Sequence, residues 1–307
     1  MIRDYYFLKN FKVFRFFFVT VLMLILIFNG CLFYKDLTPK TFWSALLYNI
    51  YGPQKPLSSQ YVDYLEPEDL NGLVLVGHRG GIPEYIYPEN SMNALRLASL
   101  LGVELFEVDV LLTKDNIPII FHDIHLERLT GIDSFVSELM FSEIKNVKLR
   151  DGQNIPSLTE MITEFPSLLL DCTHNNINDI KIIINYLSEN HLSIVQKTSY
   201  VQVSSEEAVK YIEENNKDIL FTFNEWGDRV NNIKTYKDLG DTFTLNPSEA
   251  ITKSLLNGLG KGKLIIAVIK KDNLEEVKRM KRIGIKYIMV DNALLYNRKD
   301  ITEAFNF

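Results

Sequence analysis

The chain has 307 residues, 47% of them hydrophobic and 23% charged, an ordinary globular balance that allows one large domain or two small ones. Its formal net charge of −6 at pH 7 and pI near 5.5 argue against nucleic acid or an anionic membrane surface as the main partner. Chemistry on a phosphate would therefore rest on a few local cations or on a metal ion.

The amino terminus reads as a membrane anchor. Residues 16–34, FFFVTVLMLILIFNGCLFY, carry no charge and approach the roughly 20 residues that span a bilayer. Arg3, Lys9, Lys12 and Arg15 precede them against a single Asp4, so the positive-inside rule keeps residues 1–15 as a cytoplasmic basic tail and exports the chain from residue 35 onward. Gly30-Cys31 resembles the processing site of a bacterial lipoprotein, which would make Cys31 the lipid-bearing residue; Phe28 and Asn29 fit that pattern poorly. Both readings tether an extracytoplasmic domain to the membrane, as in a bacterial cell envelope. Residues 35–72, with Pro39, Pro53, Pro56 and Pro67, read as an exported spacer. The two cysteines, Cys31 and Cys172, lie in an apolar segment and in a core strand, so no disulfide is expected.

From residue 73 short β-branched runs alternate with amphipathic helical patterns. Strands are predicted at 73–77, 103–109, 168–172, 193–197, 219–223, 242–245, 264–269 and 286–290. Ser157-Leu158-Thr159-Glu160 has capping-box spacing, and Asn90 or Ser91 can cap the helix that begins beside them, capping being favoured for Asn90 over orienting Arg79. Eight strands alternating with helices fit a (β/α)8 barrel over 73–307. The alternative, an open doubly wound sheet, calls for a Gly-rich phosphate turn that GHRGG does not supply. A ninth apolar run at 117–121 comes too soon after its predecessor for a parallel crossover. It is expected to return antiparallel through a turn at Asp115-Asn116, which a two-residue loop would register with Asp109 opposite His122.

Glu107 and Asp109 alternate on one strand, so their carboxylates share a face and repel unless a cation lies between them. Asp171, at the end of the next parallel strand, offers a third oxygen ligand to a hard divalent ion. His78 ends the first strand and His122 ends the hairpin. Two histidines across a metal are what displacement at phosphorus needs, one taking a proton and one giving it. Arg79 supplies a planar donor fork for a phosphate oxygen. Glu89 is placed to orient Arg79 or to cap the helix. His125, His174 and His191 are read as surface residues.

The stretches HRGGIPEYIYPENS and ELFEVDVLLTKDNIPIIFHDIHLERLTG, with the barrel pattern, resemble the glycerophosphodiester phosphodiesterase family, closely over 74–131 and loosely to about 295. The resemblance implies a barrel that uses one Mg²⁺ or Ca²⁺ to cleave a glycerophosphodiester into sn-glycerol 3-phosphate and an alcohol. It places the acid/base histidines on His78 and His122, the phosphate arginine on Arg79 and the first metal ligands on Glu107 and Asp109. It also makes 123–156 a substrate-shaping insertion. Where the family has Glu-x-Lys, this chain has Asp171 and Thr173; Lys197 could replace the missing lysine. The family's Trp-Thr-Val-Asn gives way to AVIKKD, where Lys270 stands at the polar position. These departures bear on the substrate: a small diester, a lipid-derived molecule or a glycerol-phosphate polymer. Two other readings are a sphingomyelinase D-like lyase (phospholipase D activity) on the same barrel, which the Glu, Asp, Asp set suits, and a catalytically silent binding domain.

Overall fold

The computed structural model describes residues 71–193, 199–227, 230, 238–270 and 273–296. The basic tail, the apolar span at 16–34, Cys31 and all but the last two residues of the spacer lie outside them. Among the described residues no helix is long and apolar enough to cross a membrane.

Eight parallel strands close into a barrel: β1 (Val74–Gly77), β2 (Leu105–Leu112), β4 (Leu168–Asp171), β5 (Tyr200–Val203), β6 (Phe221–Trp226), β7 (Thr242–Asn246), β8 (Leu264–Val268) and β9 (Tyr287–Val290). β1 pairs with β9 on one side and β2 on the other, which closes the ring. Alternation along each strand builds two packed layers. Val76, Leu105, Leu169, Ile266 and Met289 fill the interior. Leu75, Phe106, Val108, Leu170, Phe243 and Ile288 join the larger core beneath the helices. Complete burial of such a side chain contributes about 1.5–3 kcal/mol.

The helices begin where hydroxyl and amide side chains satisfy their first N–H groups. Ser91 caps α1 (Met92–Leu100), accepting from Ala94 N. Ser157 and Glu160 form the expected capping box of α2 (Leu158–Glu164). Asn176 caps α3 (Ile177–Asn190) and Ser205 caps α4 (Glu206–Asn215). Thr252 and Asn273 do the same for α5 (Lys253–Leu259) and α6 (Leu274–Arg282).

Three expectations are corrected. The strand expected at 193–197 falls mostly outside the described residues, and the strand that pairs with β4 is Tyr200–Val203. Two β-branched runs stand in tandem there, and the one that pairs with β4 is YVQV, just ahead of α4. The hairpin forms, with β3 (Pro118–Ile120) antiparallel to β2, but its register is Val110 opposite Ile120. Its loop is three residues rather than two, because Thr113 N donates to Ile117 O and Asn116 takes a left-handed φ of 60°. Asp109 therefore faces Phe121, and His122 comes next, where the chain leaves the ladder. Asn90 does not cap α1; Ser91 does.

Residues 123–156 extend from the hairpin with short helical turns at Glu127–Thr130 and Phe141–Ile144. They carry a small core of their own, in which Leu126, Leu129, Val136 and Ile144 pack on Leu111, Ile119 and Phe121 of the hairpin.

Candidate active site

The chain leaves β1 through a tight turn that the glycines of GHRGG make possible. Arg79 and Gly81 take left-handed φ values of 49° and 68°. A Cβ on Gly81 would lie 2.7 Å from the Gly77 Cα. This turn aims the Arg79 backbone N–H at Glu107, whose Oε2 accepts it at 2.8 Å. It also stations His78 over the barrel mouth, with Nε2 3.9 Å from Glu107 Oε2.

At the centre stand Glu107, Asp109 and Asp171, with one carboxylate oxygen from each lying within 4.8 Å of the other two and side chains no more than 5% exposed. Strand pairing explains the convergence, since Asp109 and Asp171 are direct partners across β2 and β4. Each is held in place. Asn90, with φ of 59°, donates from Nδ2 to Asp109 Oδ2 at 2.8 Å and accepts Asp109 N at 3.2 Å. Asp171 accepts Thr173 N at 2.7 Å and Gln202 Nε2 at 2.9 Å. Arg79 Nε lies 3.3 Å from Asp109 Oδ2, as an ion pair without hydrogen-bond alignment.

Burial and mutual repulsion make these carboxylates costly to ionise. Burial first, then the Asp109 charge, pushes Glu107 up to about 8. Burial and the same neighbour raise Asp171 as well. Burial works the other way on His78, but Glu107 and the Asp291 carboxylate 2.6 Å from its Nδ1 prevail and raise it to about 9. Three buried oxygen donors that resist carrying charge alone fit a hard divalent cation such as Mg²⁺ or Ca²⁺.

These shifts make the metal-free fold sensitive to pH. Glu107 and His78 both have folded pKa values above their ordinary ones of 4.5 and 6.5, so between roughly pH 5 and 9 the folded chain holds more protons than the unfolded chain. Stability of the metal-free protein should therefore fall as pH rises through that window. Differential scanning fluorimetry in chelator should show Tm decreasing from pH 5 to 9. At one fixed concentration, Mg²⁺ or Ca²⁺ should raise Tm far more at pH 8 than at pH 5; where the free ion is a hundredfold above its Kd the stabilisation is about 2.7 kcal/mol.

On the opposite side His122 Nδ1 donates to Asp123 Oδ1 at 2.7 Å. Arg128 pairs with Asp123, with Glu89 and, at 3.0 Å, with Glu84. Glu89 in turn accepts Arg79 Nη1 at 3.2 Å. A chain of alternating charges thus joins Arg79 to His122 through Glu89, Arg128 and Asp123, and Glu89 orients Arg79 rather than capping a helix.

His78, Arg79, Glu89, Asn90, Glu107, Asp109, His122 and Asp171 are thus brought together. Lys197 lies outside the described residues and precedes β5 in sequence, so it does not end that strand. Lys270 is exposed. Sequence reasoning missed four supporting residues: Asp291, Asp123, Arg128 and Gln202. Asp291 carried a legible signal, a carboxylate just past an apolar strand, as at Asp171. Gln202 was hidden by the misplaced strand. His174, read as a surface residue, is exposed, yet its ring centroid lies 5.4 Å from that of His122.

Comparison with known proteins gives a consistent set of relatives. The sequence profile described as "Glycerophosphoryl diester phosphodiesterase family" matches residues 78–257. A probable glycerophosphodiester phosphodiesterase 2 of Mycobacterium tuberculosis is 29% identical over 116 residues, 38% of this chain and 44% of that protein. The lysophospholipase D GDPD1 of Homo sapiens is 28% identical over 166 residues, 48% of this chain and 50% of that one. The matched stretch thus spans about half the length of these curated relatives. Among solved structures, an Oleispira antarctica phosphodiesterase in complex with the product sn-glycerol-3-phosphate aligns at TM-score 0.60 and 20% identity, covering 76% of this chain and 97% of that one. A glycerophosphoryl diester phosphodiesterase from Parabacteroides distasonis aligns at 0.60 and 21%, covering 80% and 94%. At these identities the structures establish the barrel fold.

Proposed function

The chain belongs to the glycerophosphoryl diester phosphodiesterase family, and from that premise we propose that it hydrolyses glycerophosphodiesters to sn-glycerol 3-phosphate and an alcohol with the aid of one divalent cation, Mg²⁺ or Ca²⁺. The observation that carries this reading is the buried triad Glu107, Asp109 and Asp171 flanked by His78 and His122. The triad would hold the ion. When bound, the ion supplies Lewis-acid polarisation of a phosphoryl oxygen.

The chain's own groups do the rest. His78, held at Nδ1 by Asp291, and His122, held at Nδ1 by Asp123, each keep Nε2 for proton transfer. One takes the proton of the attacking oxygen and the other supplies a proton to the departing alcohol. Arg79, braced by Glu89, presents its remaining guanidinium donors to a phosphate oxygen. With Thr173 at the family's lysine position, the phosphate depends more on Arg79 in this chain.

A lipid-derived substrate has support of its own. Ile124 is 64% and Phe135 43% exposed on the 123–156 segment beside the His122-Asp123 corner, where Val136 N donates to Ile124 O at 2.9 Å. An apolar rim there suits an acyl chain, and the likeness to a lysophospholipase D is compatible with it. Residues 16–34 would hold such a site at the membrane, with 1–15 cytoplasmic, 35–72 as spacer and the barrel outside, or with Cys31 lipidated.

Phosphorus NMR of the products tests the reading. The full chain, with Mg²⁺ or Ca²⁺, is given glycerophosphocholine, glycerophosphoglycerol and a lysophospholipid in turn. A phosphomonoester product carries the hydrolase reading. A cyclic phosphate from the lysophospholipid would establish the lyase alternative, and no product from any of them would point to a glycerol-phosphate polymer substrate or to the silent domain.

A further inference from the structure

Asp109 belongs to two groups of candidate ligands. Besides Glu107 and Asp171, it shares a second group with His122 and His174, whose ligand atoms also lie within 4.8 Å of one another. Two nitrogens and one oxygen are a different donor set from the all-oxygen triad. They suit Zn²⁺ and similar borderline ions, whereas Mg²⁺ and Ca²⁺ favour oxygen alone.

Geometry around the two imidazoles agrees with a common ion. The rings meet edge to face, with centroids 5.4 Å apart and planes at 86°. His122 has Nδ1 committed to Asp123 at 2.7 Å, and Arg128 holds Asp123 from behind. That leaves Nε2 as the nitrogen with a free lone pair. A carboxylate on the far nitrogen fixes the orientation of the ring, the outer arrangement that zinc-ligating histidines use. His174 is exposed, so an ion can reach the group from solvent. Asp109 is already fixed by Asn90 through Oδ2.

We propose that Asp109, His122 and His174 form a second, inhibitory cation site selective for Zn²⁺ or a like ion. An ion there takes the His122 Nε2 lone pair, releases any proton on that nitrogen to solvent and so withdraws one of the two proton-transfer groups. The site itself rests on donor geometry alone. Its inhibitory effect rests on the proposed role of His122.

Equilibrium dialysis of the full chain against Zn²⁺ in excess Mg²⁺ tests the site without turnover. The wild type should bind a zinc ion that His174→Gln weakens at least about tenfold, whereas His125→Gln, which disrupts the exposed group of His125, Glu127 and Asp133, should not affect it. In a parallel assay of diester hydrolysis, zinc should inhibit the wild type. The His174→Gln variant should keep its zinc-free activity and need at least about tenfold more zinc for the same inhibition. Equal zinc binding in wild type and His174→Gln would overturn the site. Equal inhibition of the two would overturn its regulatory effect. Absence of hydrolysis by the wild type in both Mg²⁺ and Ca²⁺ would instead refute the proposed function, and the dialysis result would stand apart from it.

Discussion

Glu107→Gln is expected to lower kcat/KM for diester hydrolysis by about 10³-fold or more, equivalent to roughly 4 kcal/mol of transition-state stabilisation. Glutamine keeps the size of the side chain and an oxygen to accept the Arg79 N–H, so the β1 turn is preserved. What it removes is a charge in the buried triad, and with it a ligand of the proposed divalent ion. Two further results separate this from general damage. The Tm rise given by Mg²⁺ or Ca²⁺ should largely disappear. In chelator at pH 9, the variant should be more stable than the wild type, because burial and Asp109 make ionised Glu107 costly in the fold. A variant that is inactive yet better folded at high pH is hard to reconcile with any role but ligation. Calorimetric titration with Mg²⁺ and Ca²⁺ beside steady-state kinetics measures both.

His78→Ala and His122→Ala should each lower kcat by about 10²–10⁴-fold, the usual worth of a positioned acid or base. Both should keep the metal-induced rise in Tm, since neither ring holds a triad oxygen; His78 Nε2 approaches Glu107 only to 3.9 Å. In the double variant the losses should fall short of multiplying, because two groups that serve one proton relay act as a unit. The pH dependence of kcat should lose one limb in each single variant, and which limb disappears assigns acid and base. A loss in KM alone would move the histidines from proton transfer to substrate binding.

The fold was legible because the barrel repeats a strong local signal. LVLVG, ELFEVD and LIIAVI are short apolar or β-branched runs set between helical patterns, and seven of the eight parallel strands lie within a few residues of where that pattern puts them. The eighth failed where two runs, SIVQK and YVQV, stood in tandem and periodicity could not choose. Pairing with β4 chooses, and pairing is a property of the assembled sheet. The hairpin shows a similar limit. Its existence is dictated by chain length, but whether its loop has two residues or three rests on Asn116 entering the left-handed region, a choice the local sequence permits without requiring.

Within the candidate site, the fold brings together the residues that announce themselves by type and strand position: His78, Glu107, Asp109, His122 and Asp171. The residues that hold them were harder to see. Arg128 and Asp123 lie on the excursion after β3, and nothing in their spacing says that they link Glu89 to His122. Asn90 looked like a helix cap because cap residues and hydrogen-bonding amides are the same few types. Only the fold shows that Ser91 takes the cap and frees Asn90 for Asp109. Supporting contacts reach across long sequence separations, and a single sequence does not record them.

Metal-dependent hydrolysis at the carboxylate triad is best measured as glycerol 3-phosphate release by the full chain from glycerophosphodiesters, with Mg²⁺ or Ca²⁺ and with chelator, beside Glu107→Gln. Such a mechanism requires release that depends on the ion, stops in chelator, returns when the ion is restored and is absent in the variant. Release that persists in chelator, or that Glu107→Gln leaves intact, would contradict it.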